Sequence, residues 1–185
     1  GYAFAVVSNG PDTFGLDAGY QNTELLYEYM MNHHKIHNTV ALWGSSAGGL
    51  MMQRFFRAQP LRTAVLLGTF PIFDPLSMPP LHSMMQAFDA KSPEELQEKT
   101  IFLSPCKYPQ DIYHQKAIVV AHGTDDLTVP VAQSRAWLAQ TQRYGGEMTL
   151  VEKSGGHNTD NIALHNTTAF ADALTALKQK LRLND

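Results

Sequence analysis

Runs of five to seven mostly apolar residues alternate along this chain with longer stretches in which apolar residues return every three or four positions. The first kind reads as strands buried on both faces and the second as helices. Strands are predicted at Tyr2–Ser8, stopped by the turn residues Asn9-Gly10-Pro11, and at Thr39–Trp43, Thr63–Leu67, Lys116–Ala121 and Glu147–Glu152. Helices are predicted at Thr23–Ile36, with Leu25, Leu26, Met30 and Ile36 as its apolar residues, and at Ala47–Ala58, stopped by Pro60. Two more are predicted, at Pro130–Tyr144, opened by a proline and followed by Gly145-Gly146, and at Thr167–Leu183.

Strand–helix–strand alternation with near-continuous apolar strands implies an α/β fold, a mostly parallel sheet with helices on both faces. One stretch breaks the alternation. Residues 70–115 hold Pro71, Pro75, Pro79, Pro80, Pro93, Pro105 and Pro109, with short helical pieces around His82–Phe88 and Pro93–Glu98. So long an insertion between two core strands is expected to act as a cap or a pocket wall.

Composition narrows the class. The chain has 185 residues, enough for one domain; 44% are hydrophobic and 17% charged, which marks a globular chain with a real core. A net charge of −3 gives no basic footprint for nucleic acid or anionic lipid. The single cysteine, Cys106, excludes an intrachain disulfide scaffold and is read as a spectator. No apolar run reaches the roughly 18 residues that would cross a bilayer. The segment GYAFAVVSNG lacks the basic region of a signal peptide, so a cytoplasmic location is the default expectation.

The chemistry concentrates at three strand ends. Gly44-Ser45-Ser46-Ala47-Gly48-Gly49 matches G-x-S-x-G between a predicted strand and a predicted helix. A tight strand-to-helix turn strains the backbone of the central serine and lifts its hydroxyl clear of the sheet. Glycines two residues to either side are read as removing clashing side chains. Only Ser46 has both, so Ser46 rather than Ser45 is the candidate nucleophile. The following helix N-terminus aims backbone N–H groups at developing negative charge, and Ala47 N–H is one oxyanion donor by position. A serine needs a base, and the base an orienting acid. His122-Gly123-Thr124-Asp125-Asp126 follows one predicted strand and Ser154-Gly155-Gly156-His157 another, both at the carboxyl edge that also carries Ser46.

With these segments the chain resembles the α/β-hydrolase superfamily over essentially its whole length. The order serine, acid, histidine is that of the superfamily. Its H-G-x-x-D-x-x-V-P segment is matched at His122, Gly123, Asp126, Val129 and Pro130. The resemblance implies Asp126, rather than Asp125, as the acid and His157, in its Gly-Gly-His turn, as the base. The Ser-Ala-Gly-Gly run is similar to the esterase and acetyl-esterase branches and to prolyl-oligopeptidase-type peptidases. The implied activity is that of a cofactor-free serine hydrolase acting on a small carboxylic ester through an acyl-enzyme. A prolyl-oligopeptidase-type peptidase and an inactive binding protein of the same fold are the alternatives.

The superfamily normally places two strands before the nucleophile strand, after a first hairpin, and this chain offers one, Tyr2–Ser8. The expectation is therefore an N-terminally incomplete hydrolase lacking a central strand and the second oxyanion donor. In the alternative, a minimal fold, Tyr2–Ser8 pairs with Thr39–Trp43 and Ser8-Asn9-Gly10 forms the oxyanion turn. Other features read as ordinary structure. His33, His34 and His37 include an i, i+4 pair but have no acidic third ligand, and so form a solvated helix face. His122 shapes the acid loop, His114 and His165 are surface residues, and Asp125 caps a turn or serves as a second-choice acid. The pairs Met51-Met52 and Met84-Met85 are adaptable packing or the lining of an acyl pocket. Neither glycine run carries a dinucleotide fingerprint, so no NAD or FAD is implied.

Overall fold

The structure is a computed structural model that describes residues 3–8, 14–109, 111–158 and 168–180. Among these residues the centre is a parallel sheet of four strands, β1 (Val40–Ser45), β2 (Thr63–Thr69), β3 (Ala117–Gly123) and β4 (Glu147–Lys153), lying side by side in chain order. Helix α1 (Asp17–His33) precedes β1, α2 (Gly48–Ala58) joins β1 to β2, α5 (Ala132–Arg143) joins β3 to β4, and α6 (Thr168–Lys180) follows. Between β2 and β3 lie α3 (His82–Ala87), α4 (Pro93–Thr100) and several single 3-10 turns.

Alternation along the central strands sorts the core into two layers, because successive side chains of a strand point to opposite faces. Leu66, Ile118 and Val120 pack with Met52 and Phe56 of α2 and Trp137 of α5. Val65, Leu67, Val119 and Ala121 pack with Phe170, Ala173 and Leu177 of α6. Both faces are covered, as the unbroken apolar runs of β2 and β3 require.

The insertion is a built part of the molecule. Ile72, Met84, Phe88, Leu96 and Leu103 form a third cluster with Leu50 of α2 and Val129. Both ends of the insertion are tied to the sheet's helices. Near its start, buried Gln133 of α5 accepts from Phe73 N at 3.0 Å and Asp74 N at 2.8 Å. Near its end, buried Arg57 of α2 donates to Leu103 O at 2.6 Å and to Tyr113 Oη at 3.2 Å.

Two expectations fail here. Residues 3–8 are not a strand; Phe4 and Val6 are 77% and 72% exposed, and Tyr2 lies outside the described residues. An apolar run becomes a strand only when a neighbour satisfies its backbone, and none does so among the described residues. The minimal-fold pairing with residues 39–43 is therefore absent, and among the described residues β1 pairs with β2 alone. Helix α1 starts six residues before the predicted Thr23, and Leu25 and Ile36 point outward. Its inner face is instead the stripe Gly19, Thr23, Leu26, Tyr27 and Met30, with the Tyr27 ring 5.9 Å from that of Phe55 in α2. Met52 and Met84 fill core positions, which is the packing role rather than the pocket-lining one. The predicted end of the last helix, 181–183, and His165 lie outside the described residues.

Candidate active site

The strand register sets Ser45 of β1 beside Thr69 of β2, Thr69 beside Ala121 of β3, and Gly123 of β3 beside Lys153 of β4. The residues that follow each strand therefore emerge together at the carboxyl edge of the sheet, where open parallel sheets place their ligands.

Ser46 sits between β1 and α2 with φ of 52°, a left-handed conformation that a non-glycine residue adopts only when its surroundings impose it. The surroundings are specific. Ser46 N donates to Thr69 O at 3.1 Å, and Ser46 O accepts from Gly49 N at 2.9 Å and Ile72 N at 3.0 Å. The glycines around it are not equivalent. A Cβ on Gly44 would lie 2.5 Å from Gly48 O, and one on Gly49 would lie 2.6 Å from Pro71 Cβ and 2.9 Å from Ile72 N. A Cβ on Gly48 would meet nothing within 4 Å. The steric demand at the turn thus falls on Gly44 and Gly49, which corrects the reading from the motif alone.

From Ser46 a chain of hydrogen bonds runs inward. Ser46 Oγ lies 2.9 Å from His157 Nε2, and His157 Nδ1 lies 2.8 Å from Asp126 Oδ2. The other carboxylate oxygen of Asp126 accepts from Thr128 N at 2.9 Å and Val129 N at 2.8 Å, and the residue is only 5% exposed. A carboxylate with both oxygens occupied by N–H donors has one choice toward His157: it accepts the Nδ1 proton. That leaves Nε2 bare and able to accept the Ser46 hydroxyl proton. The Phe70 ring lies against the imidazole, with centroids 4.4 Å apart. Phe70 reaches this place through its own positive φ of 39°, and its N–H is held by Ala121 O at 2.8 Å.

The two neighbours of Asp126 in the motif take separate parts. His122 is fully buried; its Nε2 lies 2.8 Å from Val129 O, which can only accept, so this nitrogen carries the proton. Its Nδ1 then accepts from Ser134 Oγ at 2.6 Å. Burial holds the His122 pKa below the usual histidine value, against the opposing pull of Val129 O and the Asp126 carboxylate. Asp125 is turned away from His157 and toward Ser154 and Gly155. Its pKa is lowered, first by the Gly155 N–H and then by the Ser154 hydroxyl.

Ala47 stands at the N-cap of α2, directly after Ser46. His33 ends α1 and stacks on Tyr29 at 4.3 Å, while His37 lies beyond the helix, where its Nδ1 accepts from Thr39 N, so the expected i, i+4 pair on one helix face does not form. Among the described residues no group of three or more His, Cys, Asp or Glu is placed to hold a metal ion. Cys106 is a free, exposed thiol. No described helix is long and apolar enough to cross a membrane. A cavity of about 360 Å³ lies at the opposite, amino edge of the sheet, bordered by Ala64, His114, Lys116, Glu147 and Leu177. Phe70, Ser134 and the bonds of Asp125 were not foreseeable from the motifs. They depend on which loops meet in space, and no spacing in the sequence encodes that.

The fold is that of the α/β-hydrolases, and solved structures of that architecture resemble it closely in shape. They include a puromycin hydrolase (15% identical, TM-score 0.71, covering 94% of this chain and 27% of that one). A truncated carbohydrate esterase from gut microbiota is 16% identical with a TM-score of 0.70, covering 89% of this chain and 68% of that one. Oligopeptidase B from Leishmania major is 18% identical with a TM-score of 0.64, covering 88% of this chain and 24% of that one. This chain thus spans about a quarter of the length of the first and third. A search of curated protein sequences gave no match. The model of the prolyl oligopeptidase family matches residues 20–178, and the chain belongs to that family.

Proposed function

We propose that this chain carries the catalytic centre of a serine hydrolase, with Ser46 as nucleophile, His157 as base and Asp126 as the acid that orients it. The observation that carries the reading is the unbroken hydrogen-bond chain from Ser46 Oγ through His157 to Asp126. In this mechanism Ser46 Oγ attacks an acyl carbonyl while His157 Nε2 takes its proton. The tetrahedral oxyanion forms next to the N-terminus of α2, where Ala47 N–H is the proposed donor. His157 then returns the proton to the leaving group, and an acyl-Ser46 ester remains. Water, deprotonated by the same nitrogen, hydrolyses that ester and restores Ser46. Each oxyanion donor contributes roughly 2.7–4 kcal/mol in such centres. No step calls for a metal or an organic cofactor.

Membership in the prolyl oligopeptidase family favours a peptide or amide as the natural substrate. The carboxylic-ester reading is the second one, supported by the shared architecture with a carbohydrate esterase. The same three side chains serve both, since ester and amide cleavage differ in the leaving group. The insertion 70–115 is the proposed wall of the substrate site, because Ile72, near its start, bonds directly to Ser46 O.

Labelling by a fluorophosphonate probe tests the centre. Wild-type protein is expected to label and Ser46→Ala to remain unlabelled; a folded wild-type chain that does not label would overturn the proposal. Relative turnover of p-nitrophenyl esters and aminoacyl p-nitroanilides then decides between the two substrate classes.

A further inference from the structure

The base His157 and the acid Asp126 stand on different loops, one after β4 and one after β3, and the catalytic reading above requires them to stay in contact. Three features fasten these loops to each other, and one side chain supplies the link nearest the site. The backbones run close. Thr124 N donates to Lys153 O at 2.8 Å, and Asp125 N donates to Gly155 O at 3.0 Å. Gly123 has no room for a side chain: a Cβ there would lie 2.2 Å from Gly155 O and 3.1 Å from Gly156 O. Gly155 itself has φ of 141°, a conformation that side chains rarely adopt. The third feature is the Asp125 carboxylate. A single oxygen, Oδ2, accepts from Gly155 N at 2.9 Å and from Ser154 Oγ at 3.1 Å. Asp125 and Gly155 are therefore joined in both directions, N–H to carbonyl one way and N–H to carboxylate the other.

We infer that Asp125 is a positioning residue: it staples the loop carrying His157 to the loop carrying Asp126 and so sets where the imidazole stands. Asp125 is exposed and its carboxylate bonds to Ser154 and Gly155, and a hydrogen bond so open to water adds little to global stability. Its effect is local. His157 lies two residues beyond Gly155, and its ring must sit within hydrogen-bond reach of both Ser46 Oγ and Asp126 Oδ2. Releasing Gly155 lets that ring drift, and displacements of about 1 Å at a reacting centre lower rates on the order of a hundredfold.

The inference rests on the proposed catalytic centre, so its test uses two readouts, one of which needs no activity. The first is the downfield proton resonance of His157 Nδ1–H in its bond to Asp126. The second is the rate of fluorophosphonate labelling at saturating and at limiting probe. Asp125→Ala is expected to broaden or lose the resonance and to slow the saturated labelling rate on the order of tenfold to a hundredfold, with half-saturation unchanged. Asp125→Asn keeps one oxygen able to accept both bonds and is expected to retain the resonance and to label within about threefold of wild type. A purely structural role would lower the unfolding midpoint of Asp125→Ala and leave the resonance and the saturated labelling rate intact. If Asp125→Ala does not fold, Ser154→Ala removes one arm of the staple alone and is expected to slow labelling several-fold. A sharp resonance and wild-type labelling in Asp125→Ala, or wild-type labelling in Ser154→Ala where that variant is needed, would overturn the staple. A wild-type chain that shows the resonance but does not label would overturn the catalytic reading instead.

Discussion

His157 is held from three sides: Ser46 Oγ at Nε2, Asp126 Oδ2 at Nδ1 and the Phe70 ring against its face. The direction of each proton in this arrangement follows from what the partners can do. Asp126 Oδ1 is committed to Thr128 N and Val129 N, so Oδ2 is left for His157. An asparagine at position 126 would keep its carbonyl oxygen on those two N–H groups and present its NH2 to His157. Nδ1 would then have to accept, Nε2 would carry the proton, and the acceptor facing Ser46 Oγ would be lost. Asp126→Asn is accordingly expected to keep its fold and lower kcat on the order of 10⁴-fold. The check is turnover of an activated ester beside a circular dichroism melt; retention of more than a tenth of wild-type turnover would refute this proton assignment. At this scale the sequence was informative about identity and silent about contact. Ser46, Asp126 and His157 were singled out from motifs, and the structure brings them together. Phe70 was not, because its place beside His157 depends on a positive φ just beyond the end of β2.

Element ends carry the precision of the site. The turn from β1 into α2 is shaped by Gly44, whose missing side chain lets Gly48 O approach, and by Gly49, against which Pro71 and Ile72 lie. Gly48 faces open space. Gly44→Ala and Gly49→Ala must each push a backbone segment aside, and overpacking of this kind costs about 1–3 kcal/mol. Gly48→Ala meets no neighbour at the first residue of a helix, where alanine leaves stability unchanged or raises it by up to about 1 kcal/mol. Urea unfolding of the three variants checks this, and equal losses in all three would show that the turn is under backbone rather than steric control. Most element boundaries were readable from hydrophobic period: β2, β3, β4, α2, α4 and α5 each lie within two residues of prediction at both ends. Residues 3–8 and α1 were not. A run such as Ala3–Val7 has the composition of a strand, but composition cannot supply the neighbour that a strand needs. In α1 the outward Leu25 and the inward Gly19 and Tyr27 reverse the simple apolar-inside rule, because α2 offers Phe55 for the tyrosine ring.

For the whole molecule the parallel sheet and its two covered faces were legible because β2 and β3 are apolar at every position that meets a helix. The meeting of four loops at one edge follows from register, which no single segment encodes. That edge also sets how the protein responds to acid. His122 lies at full burial with its proton on Nε2, donated to Val129 O, and Ser134 on the other nitrogen. Burial lowers its pKa from the usual 6.5. In the unfolded chain the same imidazole takes up a proton near 6.5, while in the folded chain it resists until lower pH. Below 6.5 the unfolded state therefore holds more protons, and stability falls as pH falls, until the folded pKa is passed. Above 6.5 the contribution is present in full. One such group gives a slope of at most about 1.4 kcal/mol per pH unit. Asp125 and Glu152, whose pKa values are lowered by the Gly155 N–H and by Arg135 respectively, act in a separate window. Their contributions are present above the ordinary carboxylate range and are lost only as pH falls through their depressed values. Denaturant midpoints measured from pH 7.5 to 5.5 are thus expected to fall in wild type and to fall less steeply in His122→Gln, whereas the two proteins should lose stability in parallel below about pH 4. Equal slopes between pH 7.5 and 5.5 would remove His122 as the source of acid sensitivity and would place it with the exposed histidines instead.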